Sequence, residues 1–268
     1  MAEKKSGRLT HLRVLRTEWL TPHMIRVVGG GDGLAEFTPN AFTDAYVKLQ
    51  FPVPGVAYPE PFDLARIRAE LPRDQWPRMR TYTVRSYDEQ ANELAIDFVY
   101  HGDEGLAGPW AAAAKPGDVL MFGGPGGAYA PSVDADWHLL AGDEAALPAI
   151  GATLEAMPAG AVAHAFVEVA DATEEQALAS KADVRITWLH RAEGAELVGA
   201  VRALDFPAGD VHAFVHGEAD AVRALRRYLL DERGVPKDRL SISGYWRRGK
   251  DEDGWQAEKA EERTRTQS

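Results

Sequence analysis

The sequence predicts a β + α/β protein: an N-terminal antiparallel β-barrel followed by a Rossmann-like parallel α/β domain. Three observations predict it. Before residue 130, short apolar-alternating segments recur between Gly and Pro, the pattern of a small antiparallel barrel. From Trp137 onward, apolar strands alternate with helical segments, the pattern of a parallel sheet covered by helices. Between the two lies 125–136, a Gly/Pro-rich link. A length of 268 residues suits two domains. They are expected at 1–130 and 131–248, with a charged tail at 249–268.

The elements follow in order. Leu9 to Thr17 alternates and breaks at Leu20-Thr21-Pro22, and Met24 to Val28 ends at three glycines. Ala45 to Phe51 is a third strand, closed by Pro52 and Pro54. Arg80 to Tyr87 and Glu93 to Tyr100 read as a hairpin around Asp88–Asn92. Leu106 to Ala114 is a helix, and Asp118 to Phe122 a strand after the turn Lys115-Pro116-Gly117. In the second half, strands are expected at Trp137–Ala141, Ala161–Val169, Val184–His190, Val211–His216 and Leu240–Ser243. Helices are expected after the turn Gly142-Asp143-Glu144 as far as Ala156, over Ala172–Ala179, over Leu197–Leu204 and over Asp220–Glu232. The tail reads as disordered or a marginal helix, with Trp255 its one large apolar residue and able to dock.

Composition narrows the function. A 45% apolar, 26% charged chain is that of an ordinary soluble globular protein. With no cysteine there is no disulfide, thiolate metal site or cysteine nucleophile, so redox chemistry requires a bound organic cofactor. A net charge of −11 argues against nucleic acid as partner. The first residues lack an apolar signal region, and no apolar run reaches the roughly 20 residues of a membrane helix. A cytoplasmic monomer is expected. No Ser-His-Asp set and no cluster with metal-ligand spacing stands out.

Four segments carry candidate chemistry. In Arg80-Thr81-Tyr82-Thr83-Val84-Arg85, an extended strand puts Arg80 and Tyr82 on one face and Thr81, Thr83 and Arg85 on the other. A guanidinium fork, a phenol and hydroxyls suit a phosphorylated, flat aromatic ligand. The same residues also fit a strand with a solvated polar face. Gly102 to Ala107 opens a helix with small residues, an arrangement that lets a pyrophosphate approach backbone amides. Gly142-Asp143-Glu144 stands at the nucleotide turn of a Rossmann-like half without being G-x-G-x-x-G. Its two carboxylates repel a pyrophosphate, and Asp143 is placed to cap its own helix. Glu168, 26 residues after Gly142, ends the following strand, where an acid suits a ribose 2′-hydroxyl over a 2′-phosphate. His216-Gly217-Glu218 ends another strand at the ligand-bearing edge, with no chemistry assigned. Arg223, Arg226, Arg227 and Arg233 read as a solvated helix face.

Over roughly residues 8 to 250 the chain resembles the siderophore-interacting proteins, FAD-dependent ferric-siderophore reductases of the ferredoxin-NADP reductase-like group. The resemblance rests on six segments in the family's order: 80–85, 97–101, 105–111, 142–150, 216–218 and 244–249. It implies an FAD-binding barrel and an NAD(P)-binding-like second domain. Arg80 then clamps the FAD pyrophosphate, Tyr82 packs on the ribityl chain, and Thr83 tunes flavin N5. The resemblance extends the cofactor site to Val84, Arg85, Asp97, Val99, His101, Gly105, Leu106 and Ala107. Surface or packing roles remain open for Arg85 and His101. Where relatives usually carry serine, this chain has Gly108. Asp143, Glu144 and Glu168 line the nicotinamide site, with NADH preferred over NADPH and docking weak.

Lys48 and Arg247 match the family's substrate cations. A third arginine, expected after Gly124-Pro125, is replaced by Gly126, and Arg248 is placed to compensate. Lys48 fits a solvated strand lysine equally. The expected substrate is a ferric siderophore whose iron the protein does not ligate, reduced and released as Fe(II). Two other readings stay open: a flavin reductase or electron-transfer module serving a redox protein, and a non-enzymatic siderophore-binding flavoprotein.

Overall fold

The computed structural model describes residues 9–250 and 254–255. The first domain contains β1 (Thr10–Thr21), β2 (Met24–Gly30), β3 (Tyr46–Phe51), α1 (Leu64–Glu70), β4 (Arg78–Thr83), β5 (Ser86–Asp88), β6 (Glu93–Val99), α2 (Ala107–Ala113) and β7 (Val119–Gly126). Its seven strands run antiparallel in the order β4-β3-β7-β1-β2-β6-β5. Alternation places Leu12, Val14, Ile25, Val27, Val47, Leu49, Leu94, Ile96 and Phe122 in one apolar core. Trp110 of α2 packs on that core, 5.8 Å from both Phe51 and Phe98.

The expected hairpin between Arg80–Tyr87 and Glu93–Tyr100 is corrected. The segment splits into β4 and β5. β4 pairs with β3, matching Leu49 with Arg80 and Val47 with Tyr82, and only β5 pairs with β6. The exchange falls at two consecutive residues. The Val84 N–H donates to Ala45 O (2.7 Å), and the Arg85 N–H donates to Ala95 O (2.9 Å). Successive amides of an extended chain point to opposite sides, so one run bonds both neighbours. Tyr82 and Phe98 close the same seam, with ring centroids 4.5 Å apart. The barrel therefore closes on 80–88.

Helix α1 has no counterpart in the expected elements. Asp63 caps it, accepting from Ala65 N (2.7 Å) and Arg66 N (3.0 Å). Only Ile67 of the helix is buried, so it carries no apolar period.

The second domain contains β8 (Trp137–Asp143), α3 (Leu147–Ala156), β9 (Val162–Val169), β10 (Asp183–His190), α4 (Leu197–Arg202), β11 (Val211–Glu218), α5 (Ala219–Arg227) and β12 (Leu240–Trp246). All five strands are parallel, in the order β10-β9-β8-β11-β12. Every residue of β8 is buried, as a central parallel strand requires. Strand order reverses between β8 and β11, so the crevice at their carboxyl ends is the topological switch point.

Two helix expectations are corrected. Ala172–Ala179 forms only a 3₁₀ turn, Ala172–Glu174, because Glu174 is drawn into the seam between the domains. Helix α5 gives way at Tyr228–Glu232 to a π-turn. Helix α3 starts at Leu147, and the stretch before it is a turn, as expected.

The two domains share a core. Leu20, Met24 and Val99 of the barrel pack with Leu147, Ile150 and Leu154 of α3. Each fully buried side chain of this size contributes roughly 1.5–3 kcal/mol. Polar ties cross the same seam. Thr43 Oγ1 lies 2.7 Å from Thr153 Oγ1. Glu174, 2% exposed, accepts from Thr21 Oγ1 (2.5 Å) and contacts His23 Nδ1 (2.6 Å). Such pairing is what a buried carboxylate needs. Of the expected tail, only Gly254 and Trp255 lie within the described residues. Trp255 is buried against Gly244, where a Cβ would stand 3.0 Å from its Cζ2.

Candidate functional site

On the barrel side, β4 carries Arg80 and Tyr82 opposite the inward-facing Leu49 and Val47, while Thr81 lies opposite the exposed Lys48. Thr83 is buried where β4 ends, opposite Tyr46. Arg80 Nη1 donates to Met79 O (2.7 Å). The 101–107 loop follows β6 directly. Gly102 and Gly105 have φ of +70° and +82°, and a Cβ at either would meet nothing within 4 Å. The loop thus has open space around glycine backbone. His101 is exposed, Leu106 half-buried and Ala107 buried. Gly108 has a structural reason: a Cβ there would lie 2.9 Å from Val99 O, so a serine does not fit without a backbone shift.

Two residues expected at the cofactor serve the protein's own frame. Asp97, 3% exposed, is held by a bidentate fork from Arg26 (2.7 and 2.8 Å), a bond that raises the Arg26 pKa. Arg85 reaches across the seam to Glu155 of α3, with Nη1 to Oε2 at 2.8 Å and Nη2 bonding Oε1. Its Nε lies 3.8 Å from Asp97, and its charge is matched within the protein. The Arg85 bond holds the Glu155 carboxyl below its ordinary pKa. Gly151 makes the crossing possible, since a Cβ there would stand 3.3 Å from the guanidinium. Val99 likewise packs into the core shared by the domains.

The carboxyl edge of the parallel sheet is acidic and internally bonded. Asp143, 3% exposed, accepts from Ala145 N (3.0 Å), Glu218 N (2.8 Å) and the Trp246 indole (2.8 Å). Its expected capping of α3 is corrected: α3 has no side-chain cap, and Asp143 instead ties β8 to the ends of β11 and β12. Burial pushes its carboxyl up to about 6, the Trp246 bond opposes that, and Glu144 adds to it. Gly217 makes room, with φ +136° and a Cβ position 2.6 Å from Asp143 Oδ2. Glu144 pairs with both Arg191 Nη atoms. Glu168 accepts from Leu197 N (2.8 Å) and lies 3.5 Å from Arg191. Glu218 caps α5 through Asp220 N (2.7 Å), which accounts structurally for the unassigned His216-Gly217-Glu218. His216 stacks between Phe214 and Tyr245. The expected solvated arginines are exposed, and Arg233 among them also lies over the Phe206 and Tyr228 rings.

The two sides meet at a mouth. Tyr245 is half-buried, and desolvation together with Asp44, Asp143 and Tyr46 pushes its phenol pKa up. That places the end of β12 beside the start of β3. Lys48 lies two residues beyond Tyr46 on the same face of β3, and Arg247 two beyond Tyr245. Arg247 contacts Asp220 (3.4 Å) and lies 5.9 Å from the Trp255 ring centre, while Arg248 N donates to Glu218 Oε1 (3.3 Å). The place of the missing arginine is filled: a Cβ at Gly126 would run into the Tyr46 ring. Sequence reasoning missed Tyr46, Glu155, Arg191 and Trp246. Only Trp246 had a local signal, standing inside a recognised motif. Among the described residues no His/Asp/Glu group could hold a metal, and no helix is long and apolar enough to cross a membrane.

With an FAD-type barrel joined to a doubly wound sheet, the fold is that of a ferredoxin reductase-like protein. A ferredoxin reductase of carbazole 1,9a-dioxygenase shares it at 16% identity and TM-score 0.64, over 90% of this chain and 70% of that one. The chain belongs to the siderophore-interacting protein family. The model for the siderophore-interacting FAD-binding domain matches residues 13–129, and that for siderophore-interacting protein matches 135–249. An uncharacterized protein of Mycobacterium tuberculosis is 47% identical, covering 96% of this chain and 98% of its own. Ferric vibriobactin reductase ViuB of Vibrio cholerae is 34% identical, covering 92% and 93%. The NADPH-dependent ferric-chelate reductase of Escherichia coli is 34% identical, covering 89% and 93%. Among solved structures, a siderophore utilization protein from T. fusca is 40% identical at TM-score 0.78, covering 91% and 95%. SipS from Aeromonas hydrophila is 33% identical at TM-score 0.80, covering 95% and 98%.

The residues present fit FAD. The closing strand supplies a guanidinium, a phenol and a buried threonine hydroxyl, and the adjoining loop offers glycine backbone with open space.

Proposed function

We propose that this protein is an FAD-dependent reductase of ferric siderophores. The observation that carries this reading is the barrel-closing run, in which β4 carries Arg80, Tyr82 and a buried Thr83 and Arg85, two residues on, crosses to α3 of the second domain. Bound FAD would accept two electrons as hydride and deliver them singly to Fe(III). Arg80 would hold the pyrophosphate, Tyr82 would pack on the ribityl chain, and the Thr83 hydroxyl would tune the flavin near N5. Backbone at Val84 and at 101–107 completes the cradle. Lys48, Arg247 and Arg248 draw an anionic ferric complex to the mouth, an attraction that solvent screens at the exposed Lys48 and Arg248. Electron transfer to chelated iron needs no acid–base residue here. Fe(II) leaves because hard oxygen donors hold it weakly. The names of ViuB and of the E. coli ferric-chelate reductase support this reading.

The electron donor is a reduced nicotinamide docking weakly at the carboxyl edge. Glu144 and Glu168 disfavour a 2′-phosphate, so NADH is preferred over NADPH. The internally bonded carboxylates favour one alternative, a redox protein as donor.

Stopped-flow flavin absorbance on FAD-loaded protein tests both halves. Flavin should bleach faster with NADH than with NADPH and recolour on adding a ferric tris-catecholate. Lys48→Ala and Arg247→Ala should slow recolouring about tenfold and leave bleaching unchanged. Protein that binds no flavin, or variants that recolour at the parent rate, would overturn the reading.

A further inference from the structure

We propose that Trp246 is a stacking plate for a planar aromatic ring carried by an anionic ligand, held in position by its indole N–H bond to Asp143. Four observations support it. Trp246 is 38% exposed, although an indole ordinarily gains by burial. Its exposure is not laxity, because the N–H donates to a carboxylate that is itself 3% exposed and fixed by two backbone amides. The bond spans from β12 across β11 to the end of β8, so the indole lies over the carboxyl end of β11 at the switch point. A ring fixed in advance loses little side-chain entropy when a ligand stacks on it.

The fourth observation concerns its neighbours. Arg247 follows directly, positioned by Asp220 and Trp255. Lys48 is exposed on β3, two residues beyond Tyr46, whose ring fills the space a side chain at Gly126 would need. A ligand matching this surface carries negative charge and a flat ring together. Two sources have that chemistry: the catechol rings of an anionic siderophore, and the nicotinamide of a dinucleotide.

The proposal rests on the reductase reading only for its choice of probes, and its test involves no electron transfer. Titration calorimetry on the FAD-loaded full chain would compare a gallium(III) tris-catecholate, a gallium(III) tris-hydroxamate and NAD⁺. Gallium(III) is not reduced, so a binding result stands even if ferric reduction fails, and failure to bind leaves the reductase reading to its own test. Trp246→Ala should weaken the tris-catecholate or NAD⁺ about tenfold while the hydroxamate stays within about twofold. The probe that weakens identifies the source. Trp246→Phe, which keeps a ring, should recover most of the loss, and thermal unfolding of both variants checks their folding. Equal loss for catecholate and hydroxamate, or no loss for either aromatic probe, would overturn the proposal.

Discussion

The barrel and the parallel sheet face each other across the seam with opposite chemistry. The barrel carries Arg80 on one face of β4 and Thr83, with Lys48 of β3, on the other, and its 101–107 loop has glycines that leave open space. The sheet brings Asp143, Glu144, Glu168 and Glu218, each already bonded to the protein's own amides, indole or guanidinium. The first edge suits a phosphorylated group held permanently. The second has neutralised itself and leaves few donors for a second pyrophosphate. On the proposed function, that difference would let one chain hold FAD firmly while its electron donor docks weakly.

The largest test of this contrast is electrostatic. Asp143 titrates near 6, above its ordinary 3.8. An acid with a raised pKa binds its proton more tightly in the folded state, so its contribution is complete below about pH 4 and is lost as pH rises through 6. The shift corresponds to about 3 kcal/mol. Buried His138 acts oppositely in the same window. Desolvation lowers it to about 4, so the folded state resists its protonation and stability rises with pH from about 4 to 6.5. The two slopes oppose each other in the parent protein. Asp143→Asn should expose the histidine slope, giving a steeper gain in denaturant midpoint between about pH 5 and pH 7.5. An unchanged slope would show that Asp143 is not the buried acid described.

Next comes the barrel edge. Arg80→Ala should weaken FAD binding about a hundredfold, since charge-assisted bonds to phosphate are worth about 1.5–3 kcal/mol each. Flavin fluorescence recovered on dilution reads the loss. The matching change on the sheet, Glu144→Gln, should leave FAD affinity unchanged. A comparable loss in both would dissolve the contrast between the two edges.

The barrel edge was legible in the sequence, and the sheet edge only partly so. Arg80, Tyr82 and Thr83 lie within four residues on one strand, where spacing reports the face. The parallel sheet of the second domain followed from its β-α alternation. The role of Asp143 was not readable, because its partners Glu218 and Trp246 are 75 and 103 residues away. The split of Arg80–Tyr87 into β4 and β5 leaves no composition signal either. Alternation continues through Val84 and Arg85, and only the bonding partners change. Ala172–Ala179 read as helical because propensity is local, whereas the pull of Thr21 and His23 on Glu174 is not.

The smallest predicted effect sharpens the comparison at the seam itself. Arg85 begins two residues after Thr83 and ends on Glu155, linking the barrel-closing strand to α3. Arg85 is 11% exposed and Glu155 42%, so the pair is only half desolvated. Its loss should cost about 1–2 kcal/mol, between the surface and buried limits. The two members are not equivalent. Glu155→Gln leaves a guanidinium that still has Asp97 within 3.8 Å, whereas Arg85→Met also removes a neighbour of the buried Asp97. Arg85→Met should therefore lower the melting temperature more than Glu155→Gln, by a few degrees. If Arg85 serves the seam, both variants should retain FAD affinity within about threefold. If Arg85→Met alone released flavin, Arg85 would belong to the cofactor after all, and the barrel edge would extend one residue pair further than its ion pairs indicate.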